Sequence, residues 1–173
     1  MVQEILTDYE LIVDNSEQLR ERPSEYKEQK RYYSGKKKSH TFKNQIIVLP
    51  SGKDIVDVIV GKPGPKSDIN LFREGHKGFD PNQRFKGDKA YEGELSIKTP
   101  TKKPKKQELS LEQKEKNKEL ASERIFVEHL IRFVKIFRVA SERFRLNPRK
   151  YEQVIMTICG LVRLRIEALV LPK

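Results

Sequence analysis

Tryptophan is absent from this chain, cysteine nearly so, long apolar runs are missing, and acids are outnumbered by bases. Asp and Glu number 25 against 36 Lys and Arg over 173 residues, a formal charge of +11. Such an excess favours polyanionic partners, because each phosphate neutralised by Lys or Arg releases condensed counterions. Ribosomal, chromatin and membrane-surface proteins share this balance, and it carries no information about fold. The one cysteine, Cys159, excludes an internal disulfide and a thiolate zinc cluster. The three histidines, His40, His76 and His129, lack ligand spacing, so no zinc site is expected. The longest apolar stretch near the C-terminus, Val154 to Val162, is too short to span a bilayer. The opening Met1-Val-Gln-Glu has no basic start followed by an apolar core, so no signal peptide is expected. The expectation is a soluble, cytoplasmic protein.

What is present is an ordered run of strand and helix patterns, long enough for one domain with a real core. The chain is organised around Ser122 to Phe137, where Val127, Leu130, Ile131, Val134 and Phe137 recur at three- and four-residue steps, the spacing of one buried helical face. Ser110 followed by Gln113 is a capping-box pattern that opens this helix, which is expected to run to about Val139. Upstream, Leu11-Ile-Val13 reads as a short strand ended by the acids and turn formers Asp14 to Glu17. A Lys- and Tyr-rich loop is expected over Lys27 to Lys43, with seven Lys or Arg, one acid and a turn at Gly35. Thr41 to Leu49 and Asp54 to Val60 read as two strands joined at Pro50 to Lys53. Ser67 can cap a short helix through Asp68 and Phe72. Weak strands are expected near Arg84 to Lys89, containing Asp88, and at Leu95 to Thr99. A mobile basic insertion is expected at about 98–108, and Asn147-Pro148 opens a last helix with Val154, Ile155, Ile158, Leu161, Val162 and Leu169 on its buried side. Strands first and helices after predict an α/β fold, a mixed sheet flanked by helices.

Three acids stand out. Glu128 lies at the border of the core-facing stripe, Asp14 ends its strand, and Asp68 opens a helix just beyond another strand, positions where such sheets place sites. Each has a plain structural explanation. Glu128 stands one turn from Arg124 and from Arg132, as in a solvated ion-pair ladder, and Asp commonly ends strands and begins helices for local hydrogen bonding. Asp57, between Val56 and Val58, reads as a solvent-facing strand position. If the three acids converge, each carboxylate pair about 4 Å apart costs on the order of 4 kcal/mol at an effective dielectric of about 20. Only protonation or cations would hold such a cluster. Magnesium suits it as a hard ion that takes oxygen ligands and keeps positions for water and phosphate. Two such ions could activate water or a 3′-hydroxyl and stabilise a leaving oxygen at phosphorus. On the residues alone, the reading stops at a basic mixed α/β domain with an acidic site.

The segments around these acids resemble a known family. Asp14 to Pro23 (DNSEQLRERP) and Lys30 to Lys43 (KRYYSGKKKSHTFK) look like the opening of the endonuclease domain of DDE-superfamily transposases, the bacterial insertion-sequence enzymes akin to Harbinger-type elements. Gly61 to Phe72 (GKPGPKSDINLF) is similar to their second-acid segment and Phe85 to Gly93 (FKGDKAYEG) to their next strand and turn. Arg124 to Arg138 (RIFVEHLIRFVKIFR) resembles the helix bearing the final Glu. Together these cover most of residues 8–145 in the expected order.

The resemblance implies a ribonuclease-H-like fold and a catalytic, metal-holding triad of Asp14, Asp68 and Glu128. Asp88 would be a supporting acid, with two Mg²⁺ (or Mn²⁺) ions as cofactors. It implies cleavage and strand transfer of DNA, at transposon ends and target, in the cytoplasm and associated with the nucleoid. Lys36, Lys37, Lys38 and His40 would approach DNA, as would Arg132 and Lys135. Residues 1–145 would form the catalytic domain and 146–173 a C-terminal helix packed on it. Many relatives carry His before the second acid, where this chain has Ser67. Relatives also carry a helix-turn-helix region before the first strand, whereas thirteen residues precede Asp14 here. The chain therefore matches the catalytic part of a split or truncated transposase, implying a companion DNA-binding region or chain and leaving a homo-oligomer open. The competing expectation is a non-catalytic or decayed basic DNA-binding fragment.

Overall fold

The structure is a computed structural model that describes residues 6–75, 78–105 and 108–167. His76, Lys106 and Leu169 lie outside the described residues. Strand β1 (Leu11–Leu19) and strand β3 (Ser39–Val48) pair antiparallel from Ile12↔Val48 to Leu19↔Thr41. Strand β4 (Ile55–Pro63) pairs antiparallel with the other edge of β3, and the short β2 (Tyr33–Ser34) meets the first residues of β3. Two more short strands, β5 (Phe85–Lys86) and β6 (Ile97–Lys98), extend the sheet parallel to β1. The result is a six-stranded mixed sheet in the order β2-β3-β1-β5-β6, with β4 also on β3. Helices α1 (Tyr26–Tyr32), α2 (Asp68–Gly75), α3 (Leu111–Lys135), α4 (Arg138–Ser141) and α5 (Tyr151–Arg165) flank it. This is the α/β class expected, and it is consistent with a ribonuclease-H-like fold.

Side-chain alternation along β1 and β3 divides the interior in two. Ile12, Ile46 and Val48 face one core with Val127, Leu130, Ile131 and Val134 of α3 and with Tyr151, Ile155, Ile158, Cys159 and Val162 of α5. Leu11, Val13 and Ile47 face the other, with Phe72 of α2, Phe85, Tyr91 and Ile97. The Ser110 capping box forms as expected, its hydroxyl accepting from Gln113 N and the Gln113 side chain accepting from Ser110 N.

Several expectations need correction. Asp14 does not end its strand. It is the fourth of nine residues, because the turn-like run Asp14 to Leu19 is held in the ladder by β3. Regular pairing along a buried neighbour outweighs the local preference of Asp, Asn and Ser for turns. The expected loop over Lys27 to Lys43 holds most of α1, all of β2 and the start of β3. Asp88 lies beyond β5 rather than within a strand, and its carboxylate accepts from Ala90 N at the start of a 3-10 turn over Lys89–Tyr91. Helix α3 stops at Lys135 instead of near Val139. Leu161 is 45% exposed, and Cys159 takes its expected place on the buried side of α5. Asp57 is half-buried on β4, where desolvation raises its pKa, so it is not a solvent-facing position. The basic segment near residue 100 is tied to α3 at one point, where Thr101 N donates to Asn117 Oδ1 and Asn117 Nδ2 donates to Thr101 O.

Candidate active site

β5 pairs with β1 only at Leu11 and Ile12, so among the described residues the β5 side of β1 has no strand partner from Asp14 onward. Elements from both faces of the sheet meet at this open edge. Alternation places Asp14 on the same side as Ile12, toward α3, and Asn15 on the side of Leu11 and Val13, toward Tyr91.

On the α3 side, Arg124 Nη2 stands 3.9 Å from Asp14 Oδ2. Among the described residues Glu128 forms no ion pair with Arg124 or Arg132, so the ladder reading of that helix does not describe it; Arg124 is turned to Asp14 instead. The Asp14 side chain is 18% exposed. Burial raises its pKa to about 6. A hydrogen bond from Asn15 N to Oδ1 and the Arg124 charge oppose the rise, while the carboxylates of Asp88 and Glu128 add to it. The charges of Asp88, beyond β5, and of Glu128, on α3, thus bear on Asp14.

On the opposite side, the Tyr91 hydroxyl accepts from Asn15 Nδ2 at 2.7 Å and from Gln45 Nε2 at 3.0 Å. Burial raises the Tyr91 pKa, and the nearby Asp68, Asp14 and Asp88 raise it further, which keeps the phenol neutral. Asp68 is held by Lys43, whose Nζ donates to its Oδ1 at 2.7 Å and also to the Lys66 carbonyl. Lys43 is 7% exposed. A buried ammonium here is stabilised by these oxygens.

Lys36, Lys37, Lys43, Lys135, Asn15, Ser16, Glu17 and Asp68 line a cleft of about 330 Å³ at the edge. Of the basic residues expected at DNA, Lys36, Lys37 and Lys135 are thus brought together with Asp68. Lys38 is exposed on the same turn, in a left-handed backbone conformation (φ 49°). Arg132 is exposed on α3 but does not line the cleft, and His40 lines a different pocket.

Sequence reasoning missed Lys43, Asn15, Gln45, Tyr91 and the role of Arg124 beside Asp14. The available signal was the polar run Lys43-Asn-Gln45 between Phe42 and the apolar Ile46-Ile-Val48, which predicts buried partners.

Oxygen donors are the only ligands this site offers. Arg124 Nε, on the α3 side with Asp14, and Asn15 Oδ1, on the opposite side of β1, are buried without a hydrogen-bond partner among the described residues. An unmet acceptor and mutually repelling carboxylates fit a hard divalent cation in chemical type. Among the described residues, however, no group of three or more His, Cys, Asp or Glu side chains is drawn tightly enough to coordinate one ion.

A family described as DDE superfamily endonuclease matches residues 13–163, a span that takes in every acid named above. The chain belongs to this family. It is also similar to the probable transposase for insertion sequence element IS702 of Microchaete diplosiphon, 37% identical over 155 residues. That alignment covers 87% of this chain and 55% of the relative, so the chain spans about half the length of the curated relative it matches. No solved structure matches the chain. No helix among the described residues of this DDE-family chain is long and apolar enough to cross a membrane.

Proposed function

We propose that this chain is the catalytic part of a transposase, cleaving DNA and transferring strands at insertion-sequence ends with Mg²⁺ or Mn²⁺. The observation that carries the reading is Asp14, a buried carboxylate whose pKa is lifted to about 6 with the acids Asp88 and Glu128 at hand. A site arranged this way gains free energy from a cation that relieves the repulsion.

Asp14 and Glu128 would hold the metal, and Asp88 is favoured over Asp68 as the acid completing the set. Asp88 acts directly on the Asp14 charge, whereas Asp68 is engaged by Lys43. Asp68 would then serve a second ion or the cleft wall. When bound, two divalent ions supply Lewis-acid stabilisation of charge on the phosphoryl oxygens of the scissile link. The Asn15 amide and Arg124 guanidinium orient the Asp14 carboxylate, limiting its rotation before substrate arrives. Lys36, Lys37 and Lys135 would bind backbone phosphates along the cleft they share with Asp68. Recognition of the transposon end would fall to a companion DNA-binding region or chain.

Nicking of supercoiled DNA in Mg²⁺ tests the reading. Asp14→Ala, Asp88→Asn and Glu128→Gln should each abolish nicking with circular dichroism unchanged, and Asp68→Asn should reduce it less. Full activity in any of the first three removes that residue from the site, and a larger loss in Asp68→Asn than in Asp88→Asn restores Asp68 to the triad. DNA binding without nicking by the parent protein, with its companion region supplied, would leave only a basic DNA-binding fragment.

A further inference from the structure

We propose that the pocket between helix α1 and the β2–β3 hairpin binds an unpaired nucleobase of single-stranded DNA. It is a shallow, open depression of about 400 Å³ lined by Arg22, Tyr26, Gln29, Lys30, Tyr33 and His40. Helix α1 buries none of its residues, so core packing does not account for Tyr26, which is 78% exposed. Tyr33 is 47% exposed, and its ring meets that of His40 edge to face, with centroids 5.6 Å apart. An edge-to-face pair leaves at least one flat face of each ring uncovered by the other. Exposed aromatic faces in a cationic setting are what proteins use to stack bases without regard to sequence.

The cations are arranged for a polyanion. Arg22 is braced by Gln29, which accepts from its Nη2 at 2.8 Å and donates to the Pro23 carbonyl at 2.8 Å. Lys30 stands one turn from Tyr26 on the same face of α1. Burial and the converging charges of Arg22, Arg20 and Arg143 lower the pKa of His40, which leaves a neutral ring beside Tyr33 in a positive field. No carboxylate lines the pocket.

Continuity with the catalytic cleft selects DNA as the occupant. Tyr33 and His40 are paired at the base of the hairpin whose turn carries Lys36 and Lys37 into the wall of that cleft. A strand laid along the turn would place its phosphates on those lysines and splay a neighbouring base into the pocket. The inference rests on DNA being the substrate of the proposed transposase, but not on catalysis by this chain.

Metal-free fluorescence anisotropy with labelled oligothymidine and with a duplex of equal length tests it. Tyr26→Ala and Tyr33→Ala should each weaken single-strand binding on the order of ten-fold. Both should affect the duplex much less, and Tyr33→Phe should bind like the parent protein. Equal losses on both substrates, no loss on the single strand, or displacement by polyglutamate as effective as by oligothymidine would overturn the proposal. Nicking in Mg²⁺ is scored separately. Tyrosine-dependent single-strand binding by a chain that does not nick keeps the pocket and removes the catalytic reading; nicking without tyrosine dependence does the reverse.

Discussion

Asp14 carries a carboxylate into a strand position whose predecessor on the same face, Ile12, is buried in the core. Its folded-state pKa is about 6 against 3.8 for the ordinary group. Between those values the folded chain holds a proton that the unfolded chain has released. Stability from this residue is therefore fullest below about pH 4 and is lost as pH rises toward 6. A shift of about two units corresponds to on the order of 2–3 kcal/mol. Asp14→Asn should accordingly be more stable than the parent protein by up to that amount in urea unfolding at pH 7.5 with chelator present, and the gap should close near pH 4. Mn²⁺ should raise the midpoint of the parent protein and not that of the variant. A variant less stable than the parent at pH 7.5 would mean that the carboxylate is stabilised in the fold and is not a site awaiting a cation. Acids were legible in the sequence because they stand out in a basic chain. Lys43 was marked only by standing in the polar run Lys43-Asn-Gln45, and its pairing with Asp68 and the Lys66 carbonyl is set by the fold.

Elements were legible where periodicity and caps agree, as in α3 with its Ser110 box, and illegible where long-range pairing decides. The run Asp14 to Leu19 looks like a turn, yet β3 holds it extended; this places Asp14 within the sheet and Asn15 against Tyr91. Likewise β5 is two residues long, yet it delivers Asp88, whose charge helps to raise the Asp14 pKa. Gly87 is the hinge of that delivery. A Cβ there would come within 2.7 Å of Tyr91 Cδ2 and 3.0 Å of Ile97 Cγ2, inside the core beneath the site. Tyr91 is fully buried and cannot step aside cheaply. Gly87→Ala should therefore cost about 1–3 kcal/mol by overpacking. It should also displace the Tyr91 hydroxyl from Asn15 and Gln45, so that nicking falls by more than the loss of folded protein explains. A urea midpoint unchanged from the parent would show that the 85–97 segment yields freely, and the site would then not depend on its packing.

Across the whole molecule, fold class followed from the order of strands and helices, while the placement of Asp88 and Glu128 where their charges bear on Asp14 required the sheet order itself, which no local pattern encodes. Net charge governs the proposed hold on DNA. A formal +11 predicts binding that weakens steeply with salt. If the hairpin turn supplies three of the phosphate contacts, Lys36→Ala, Lys37→Ala and Lys38→Ala combined should make the slope of log K against log salt shallower by about 2–3, at ~0.9 per contact. The same triple variant should keep its urea midpoint, because all three side chains are exposed. Metal-dependent nicking by the variant should recover when salt is lowered, since the acids are untouched and only the grip on the backbone has changed. A slope unchanged by the triple substitution would place the DNA on another face. The exposed basic residues of α3, Arg132 and Lys135, would then become the surface to alter next.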